Sequence, residues 1–150
     1  MLTPSRQMLL ACCGSSRWAD QMVERLPCAT MEDMIAAADD IWGTLDPADW
    51  LEAFAAHPRI GQRTADQQAA REQSRVAGAD NRVQERLAQA TREYEARFGY
   101  IFIISAQGKS AEEMLDALER RLGNPAAEEL NVAAAEQAKI TRLRLGRLLT

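Results

Sequence analysis

The sequence predicts an all-α fold, an irregular bundle of about seven or eight helices with one short apolar segment read as extended. Three observations carry that expectation. Alanine is abundant while aromatic residues make up only 5% of the chain, a composition that suits helices packed through small side chains better than a sheet. Apolar residues recur at helical spacing through most of the chain, and each run is bounded by a capping residue, proline or glycine. A continuous apolar run with β-branched residues stands out only at YIFII, positions 100–104. With 150 residues the chain is long enough to bury a substantial core, and it reads as a single domain over 1–150.

The first helix is expected over 15–26, where Trp18, Met22 and Leu26 share a face and Pro27 ends the run. A second follows over 30–42, opened by Thr30 and Asp33 in a capping-box pattern and closed by Gly43. Asp46 and Pro47 are expected as N-cap and first residue of a third, which must stop near His57 because Pro58 disfavours helical geometry in the residue before it. A tight bend is expected at Gly61, then a polar, alanine-rich helix at about 65–75. From Asp80 the spacing of Val83, Leu87, Thr91, Tyr94 and Phe98 predicts a long amphipathic helix up to Gly99. YIFIISAQGKS is read as extended, ending in a cap and turn. Ser110 and Glu113 predict a capping box on a helix through Met114, Leu115, Leu118 and Leu122 to Gly123, and Asn124–Pro125 opens a last helix to the C-terminus. Trp18, Trp42 and Trp50 all lie on apolar stripes and are assigned to the core.

The net charge of -4 provides no long-range attraction for a phosphate backbone, so nucleic acid is not expected as a partner. No apolar run approaches the roughly 20 residues that cross a bilayer, and the N-terminus has only a short apolar patch before charge resumes, so a membrane is not expected either. Cys12, Cys13 and Cys28 cannot all pair, and adjacent cysteines suit neither an ordinary disulfide nor a shared metal, which fits a reducing cytoplasm. With one histidine and no C-x-x-C, no metal site is expected.

That histidine, His57, is the most usable proton carrier at neutral pH. Its place at a helix C-terminus favours the protonated ring, and the HPRIG turn fixes its exit from the helix. Glu72–Gln73 lies a short loop later, where a carboxylate could orient the ring, although spacing alone would equally place Glu72 on a solvated helix. In the last helix, KITRLRLGRLL, the buried side is read as Ile140, Leu143, Leu148 and, on a wider arc, Leu145, and this puts Arg144 closest to the apolar boundary. A lone histidine hydrogen-bonded to a carbonyl and an arginine snorkelling to water are the bland readings of the same residues.

LEAFAAHPRIGQR, REQ, YEARFGYIFIISAQGKSAEEMLDALERRLGN and EELNVAAAEQAKITRLRL, with GSSRWADQM near the start, together resemble the 2-oxo-4-hydroxy-4-carboxy-5-ureidoimidazoline (OHCU) decarboxylase family over nearly the whole chain. The resemblance implies an all-α, cofactor-free carboxy-lyase of urate degradation that converts OHCU to (S)-allantoin and carbon dioxide, commonly as a homodimer. It implies that His57 and Glu72 are catalytic together with a late arginine, Arg144 with Arg142 as rival. It further implies substrate contacts from Pro58, Gln73 and the segment Tyr100, Ile101, Phe102 and Ile103. Two departures are visible: Ala69 stands where the family usually carries serine three residues before its E-Q pair, and the loop from His57 to Glu72 is shorter than in many members.

The implied substrate carries its carboxylate beside a ring C=N, so nitrogen can receive the electrons released with carbon dioxide and no cofactor is expected. Two other readings of the sequence are a proton-transfer enzyme acting on a related ureido or hydantoin compound, and a non-enzymatic helical interaction module in which His57 is structural.

Overall fold

The structure, a computed structural model, describes residues 1–59 and 81–148. Seven helices are present among them: α1 (Arg6–Cys12), α2 (Ser16–Glu24), α3 (Met31–Thr44), α4 (Pro47–Ala55), α5 (Asn81–Phe98), α6 (Ala111–Arg121) and α7 (Ala126–Leu148). The all-α expectation is met. The chain divides into two compact units, one of Met1–Ala56 with Ala135–Thr150 and one of His57–Ala134, so α7 begins in the second and ends in the first.

In the first unit each helix starts where a side-chain oxygen can take an orphan amide. Ser15 accepts from the Trp18 amide and Thr30 from the Asp33 amide. Helix α1 was not anticipated; the Ser5 hydroxyl accepts from the Met8 amide to start it, and its seven residues are too few to establish a periodicity. Two further expectations need correction. Gly43 lies inside α3, which ends at Thr44 with Leu45 as its cap; a helical glycine costs only about 1 kcal/mol, and the Thr44 hydroxyl takes up the Ile41 carbonyl in the last turn. Asp46 occupies the N-cap of α4, but its side chain makes no capping bond, and Pro47 at the first turn sets the start instead.

The interior of this unit is closed by Leu9, Trp18, Met22, Met34, Ile41, Phe54 and Leu145, all essentially without exposure. Trp18 and Trp42 are buried as expected while Trp50 is only half-buried; Trp18 donates its indole N–H to the Ala38 carbonyl at 3.2 Å and Trp50 to that of Trp42 at 3.0 Å, so neither polar edge is orphaned. Leu2 and Cys28 exchange backbone hydrogen bonds of 2.7 and 3.1 Å in an isolated antiparallel bridge.

The second unit is organised by one apolar cluster: Leu87, Ala90 and Tyr94 from α5, Phe102 and Ile104 from the connecting segment, and Met114 and Leu118 from α6. The α5 stripe read from the sequence is the buried one at Leu87, Thr91 and Tyr94, while Val83 and Phe98 are half-buried. Gly99 closes α5 with φ +84, a conformation that glycine adopts without strain. The segment after it is neither helix nor paired strand. Helix α6 opens with the complete Ser110–Glu113 capping box, each side chain bonded to the other's backbone amide.

Candidate active site

Helix α4 ends at Ala55, the Ala56 amide caps it on the Ala53 and Phe54 carbonyls, and His57 follows, half-buried. The sequence placed the imidazole on the last turn or just past it, and it stands just past. The end of α4 is seated against Gly14: a Cβ at position 14 would meet the Ala56 Cβ at 2.5 Å, closer than any real contact. Ser16 binds the same helix from its amide and hydroxyl to the Glu52 carboxylate at 3.0 and 2.7 Å. Beyond Pro58, Arg59 donates to Glu95 of α5 at 2.6 Å, which ties the His-Pro-Arg turn into the second unit. Gly61, Ala69, Glu72, Gln73 and the helix expected at 65–75 lie outside the described residues.

The two arginines of the last helix differ in kind. Arg142 is exposed and its Nε reaches both Asp39 oxygens, at 3.1 and 3.0 Å. Arg144 is buried and donates to the Ala11 carbonyl at 3.4 Å, at the C-terminal end of α1, where unsatisfied carbonyls and the helix dipole favour a cation. Ile140 and Leu145 are buried as expected, whereas Leu143 and Leu148 are only half-buried. Beside Arg144 lie the thiols of Cys12 and Cys13. Burial pushes them up to about 11 and about 12, against the smaller opposing pull of the guanidinium. Both thiols are therefore protonated at neutral pH and are not nucleophiles.

Tyr100 and Ile101 are half-buried, Phe102 and Ile103 fully buried. The Phe102 ring belongs to the apolar cluster, so only its backbone is available to a ligand. Among the described residues the amides of Ile101, Phe102, Ile103 and Ile104 donate to no backbone carbonyl. No regular ladder among the described residues engages this stretch, so its backbone is a candidate for polar contacts with a ligand.

The sequence reading missed a polar cluster behind this segment. Glu129, fully buried on α7, accepts from Arg121 Nε at 2.8 Å and from Asn124 Nδ2 at 3.0 Å, Arg121 Nη2 lies 2.6 Å away, and the Tyr94 hydroxyl donates to the same carboxylate. Arg121 Nη1 donates to the Ile103 carbonyl at 2.7 Å, and the guanidinium lies 4.4 Å from the centre of the Phe102 ring. Burial and the bond to Glu129 push the Tyr94 phenol well above its ordinary range, and burial raises that of Tyr100 as well. One signal was available: Arg121 continues the stripe of Met114 and Leu118 at i+7 and i+3, so it faces inward.

His57, Pro58 and the Tyr100–Ile103 segment fall in one compact unit and Arg144 in the other. A sequence model of the OHCU decarboxylase family matches residues 3–146. The chain is 39% identical to a uric acid degradation bifunctional protein of Arabidopsis thaliana over 148 residues, covering 93% of this chain and 45% of that protein. It is 30% identical to a 2-oxo-4-hydroxy-4-carboxy-5-ureidoimidazoline decarboxylase of Amia calva, covering 79% of this chain and 72% of that one. A human protein named as a putative decarboxylase of the same compound matches at 43% identity over 59% of this chain and 51% of its own length, so the chain spans about half the length of this relative and the plant one. Among solved structures it is similar to an OHCU decarboxylase crystallised in the presence of (S)-allantoin, with a TM-score of 0.86, 40% identity, and coverage of 97% of this chain and 98% of that one.

Proposed function

The chain belongs to the OHCU decarboxylase family, and on that premise we propose that it is a carboxy-lyase of urate and purine degradation, converting OHCU to (S)-allantoin and carbon dioxide. The observation that carries the proposal is the likeness to the OHCU decarboxylase crystallised in the presence of (S)-allantoin, which extends over nearly the full length of both chains at 40% identity. The plant relative is named as bifunctional and is much longer; the proposal concerns the decarboxylation alone.

The chemistry requires little more than well-placed donors and acceptors. When the C–CO2 bond breaks, its electron pair moves toward the neighbouring ring C=N, and the nitrogen takes a proton from the medium. The resulting enol then loses its hydroxyl proton while the adjacent carbon gains one on a single face, which yields one allantoin enantiomer. In this reading His57 and Glu72 bind the hydroxyl and handle its proton, and one of them or a bound water delivers the stereochemical proton. Arg144, held at the Ala11 carbonyl, receives an anionic or carbonyl portion of the substrate, and Gln73 reads a ureido or ring amide. Arg142, already engaged on the surface by Asp39, is the weaker candidate for that role. Pro58 fixes the turn that carries the imidazole. The Tyr100 side chain and the backbone amides of Ile101, Phe102 and Ile103 suit the carbonyl oxygens of a ureido compound. We place the reaction in the cytoplasm and the active species as a homodimer, without cofactor or metal.

The test generates OHCU from urate in situ and follows the circular dichroism of the allantoin formed, together with carbon dioxide release. The proposal predicts rapid appearance of one enantiomer with stoichiometric carbon dioxide. Slow, optically silent decay at the uncatalysed rate contradicts it and favours the interaction-module reading.

A further inference from the structure

We infer that the buried Tyr94–Glu129–Arg121–Asn124 cluster is a positioning device for the Tyr100–Ile103 segment, setting the pose of the backbone donors proposed to meet the substrate. The inference rests on the role proposed for that segment. The segment runs from half-buried Tyr100 and Ile101 to buried Phe102 and Ile103 with no helical or sheet ladder among the described residues, so no regular hydrogen-bond pattern there fixes its backbone. Position must come from elsewhere, and three handles on the segment converge on one carboxylate.

Tyr100 packs its ring edge-on against Tyr94 with centroids 5.8 Å apart. Phe102 lies between Tyr94, at 5.2 Å in the same edge-on arrangement, and the Arg121 guanidinium, at 4.4 Å. Ile103 gives its carbonyl to Arg121 Nη1 at 2.7 Å. Both partners, Tyr94 and Arg121, are held by Glu129, whose second oxygen is taken by Asn124 at 3.0 Å. Asn124 is fixed in turn, because its carbonyl accepts from Arg97 at the end of α5 at 2.8 Å. Each of the three elements around the segment therefore contributes a member. A purely stabilising core would fill the same volume more cheaply with apolar side chains, since buried ion pairs are often neutral for stability against a hydrophobic replacement. What the cluster adds is direction: a planar guanidinium that can hold one carbonyl at a defined angle.

Two conservative variants test this, Tyr94→Phe, which removes one hydroxyl, and Arg121→Lys, which keeps the charge but loses the fork. A third, Met34→Ala, opens a cavity in the other unit as a control for lost stability. Two readouts are taken on the full chain well below every variant's Tm: amide hydrogen exchange resolved to 101–104, and KM and kcat with OHCU. We expect faster exchange confined to 101–104 in both cluster variants, α3 unchanged, and a KM raised about tenfold in Arg121→Lys with a smaller change in kcat, as displaced binding groups produce. Met34→Ala should lower Tm and leave KM unchanged. Unchanged exchange at 101–104 overturns the clamp, and faster exchange with unchanged KM overturns its positioning role. A wild type that does not accelerate OHCU decay overturns the proposed function instead, while the exchange experiment still decides whether the cluster holds the segment.

Discussion

The two units solve the problem of buried polar groups in opposite ways. In the first, helices pack on helices, backbone groups are consumed by the helical ladders, and buried side chains such as Ser15, Gln137 and Thr141 are neutral and bonded locally. Its buried acid, Glu136, meets a lysine that is mostly in water, and Arg144 leans on a helix-end carbonyl. In the second, a non-helical segment passes through the apolar cluster, and a buried ion pair stands behind it. The difference teaches that irregular backbone in a core has to be held by side chains, and that an arginine with its own counter-charge is suited to the task.

The comparison breaks first at Arg121. Arg121→Met leaves Glu129 charged and buried with two neutral partners, and the expected loss is about 3–5 kcal/mol in urea unfolding. A double change that removes both charges, Arg121→Met with Glu129→Leu, should recover much of it; if the double variant is as unstable as the single one, the pair is not the cause. In the first unit the sensitivity is to volume. Gly14→Ala forces a methyl onto Ala56 and should cost about 1–3 kcal/mol, and because Ala56 precedes His57 it should also slow turnover. Full stability and activity in that variant would show that α4 can shift at no cost.

These two residues also show what was legible in the sequence. Most helix starts and one stop were, because Ser15, Thr30, Pro47, Ser110 and Gly99 act through their immediate neighbours and each marks an element boundary, whereas α1 and the end of α3 past Gly43 were not. Of the candidate site, the place of His57 beyond α4 followed from Pro58, and the stripe containing Ile140 put Arg144 nearest the apolar boundary, whereas the structure buries it outright. The Glu129 cluster did not, since Arg121 and Glu129 lie on either side of a helix break and each alone reads as an ordinary charge favourable to its helix end. Only their meeting in three dimensions, with Tyr94 from a third helix, gives them a role. Gly14 likewise looks like a turn glycine until the end of α4 is placed against it.

A smaller effect sharpens the contrast in pH. In the unfolded chain the Cys12 and Cys13 thiols ionise near their ordinary 9.0, whereas burial keeps the folded ones protonated to about 11 and about 12. The folded state thus binds more protons above pH 9, so stability is unaffected well below that pH and falls as pH rises from there toward the folded values. Tyr94, also raised, extends the fall at the alkaline end. Urea midpoints across this range should decline in the wild type and decline less in Cys12→Ala; identical slopes would remove the thiol from the account. Smallest of all is Arg142→Ala on the surface, where loss of the Asp39 pair should change stability by no more than about 1 kcal/mol and leave KM for OHCU unchanged. A raised KM there would transfer the proposed substrate role from Arg144 to Arg142.

The central claim is that the imidazole just beyond α4 carries the proton chemistry of an OHCU decarboxylase. The most direct test is the steady-state turnover of His57→Ala on OHCU generated in situ, with far-ultraviolet circular dichroism showing that the helices are retained. The account predicts a kcat lower by about 10²–10⁴ with the fold intact, the usual contribution of a positioned acid or base. Near-normal turnover and unchanged handedness of the allantoin would contradict it and return His57 to a structural role.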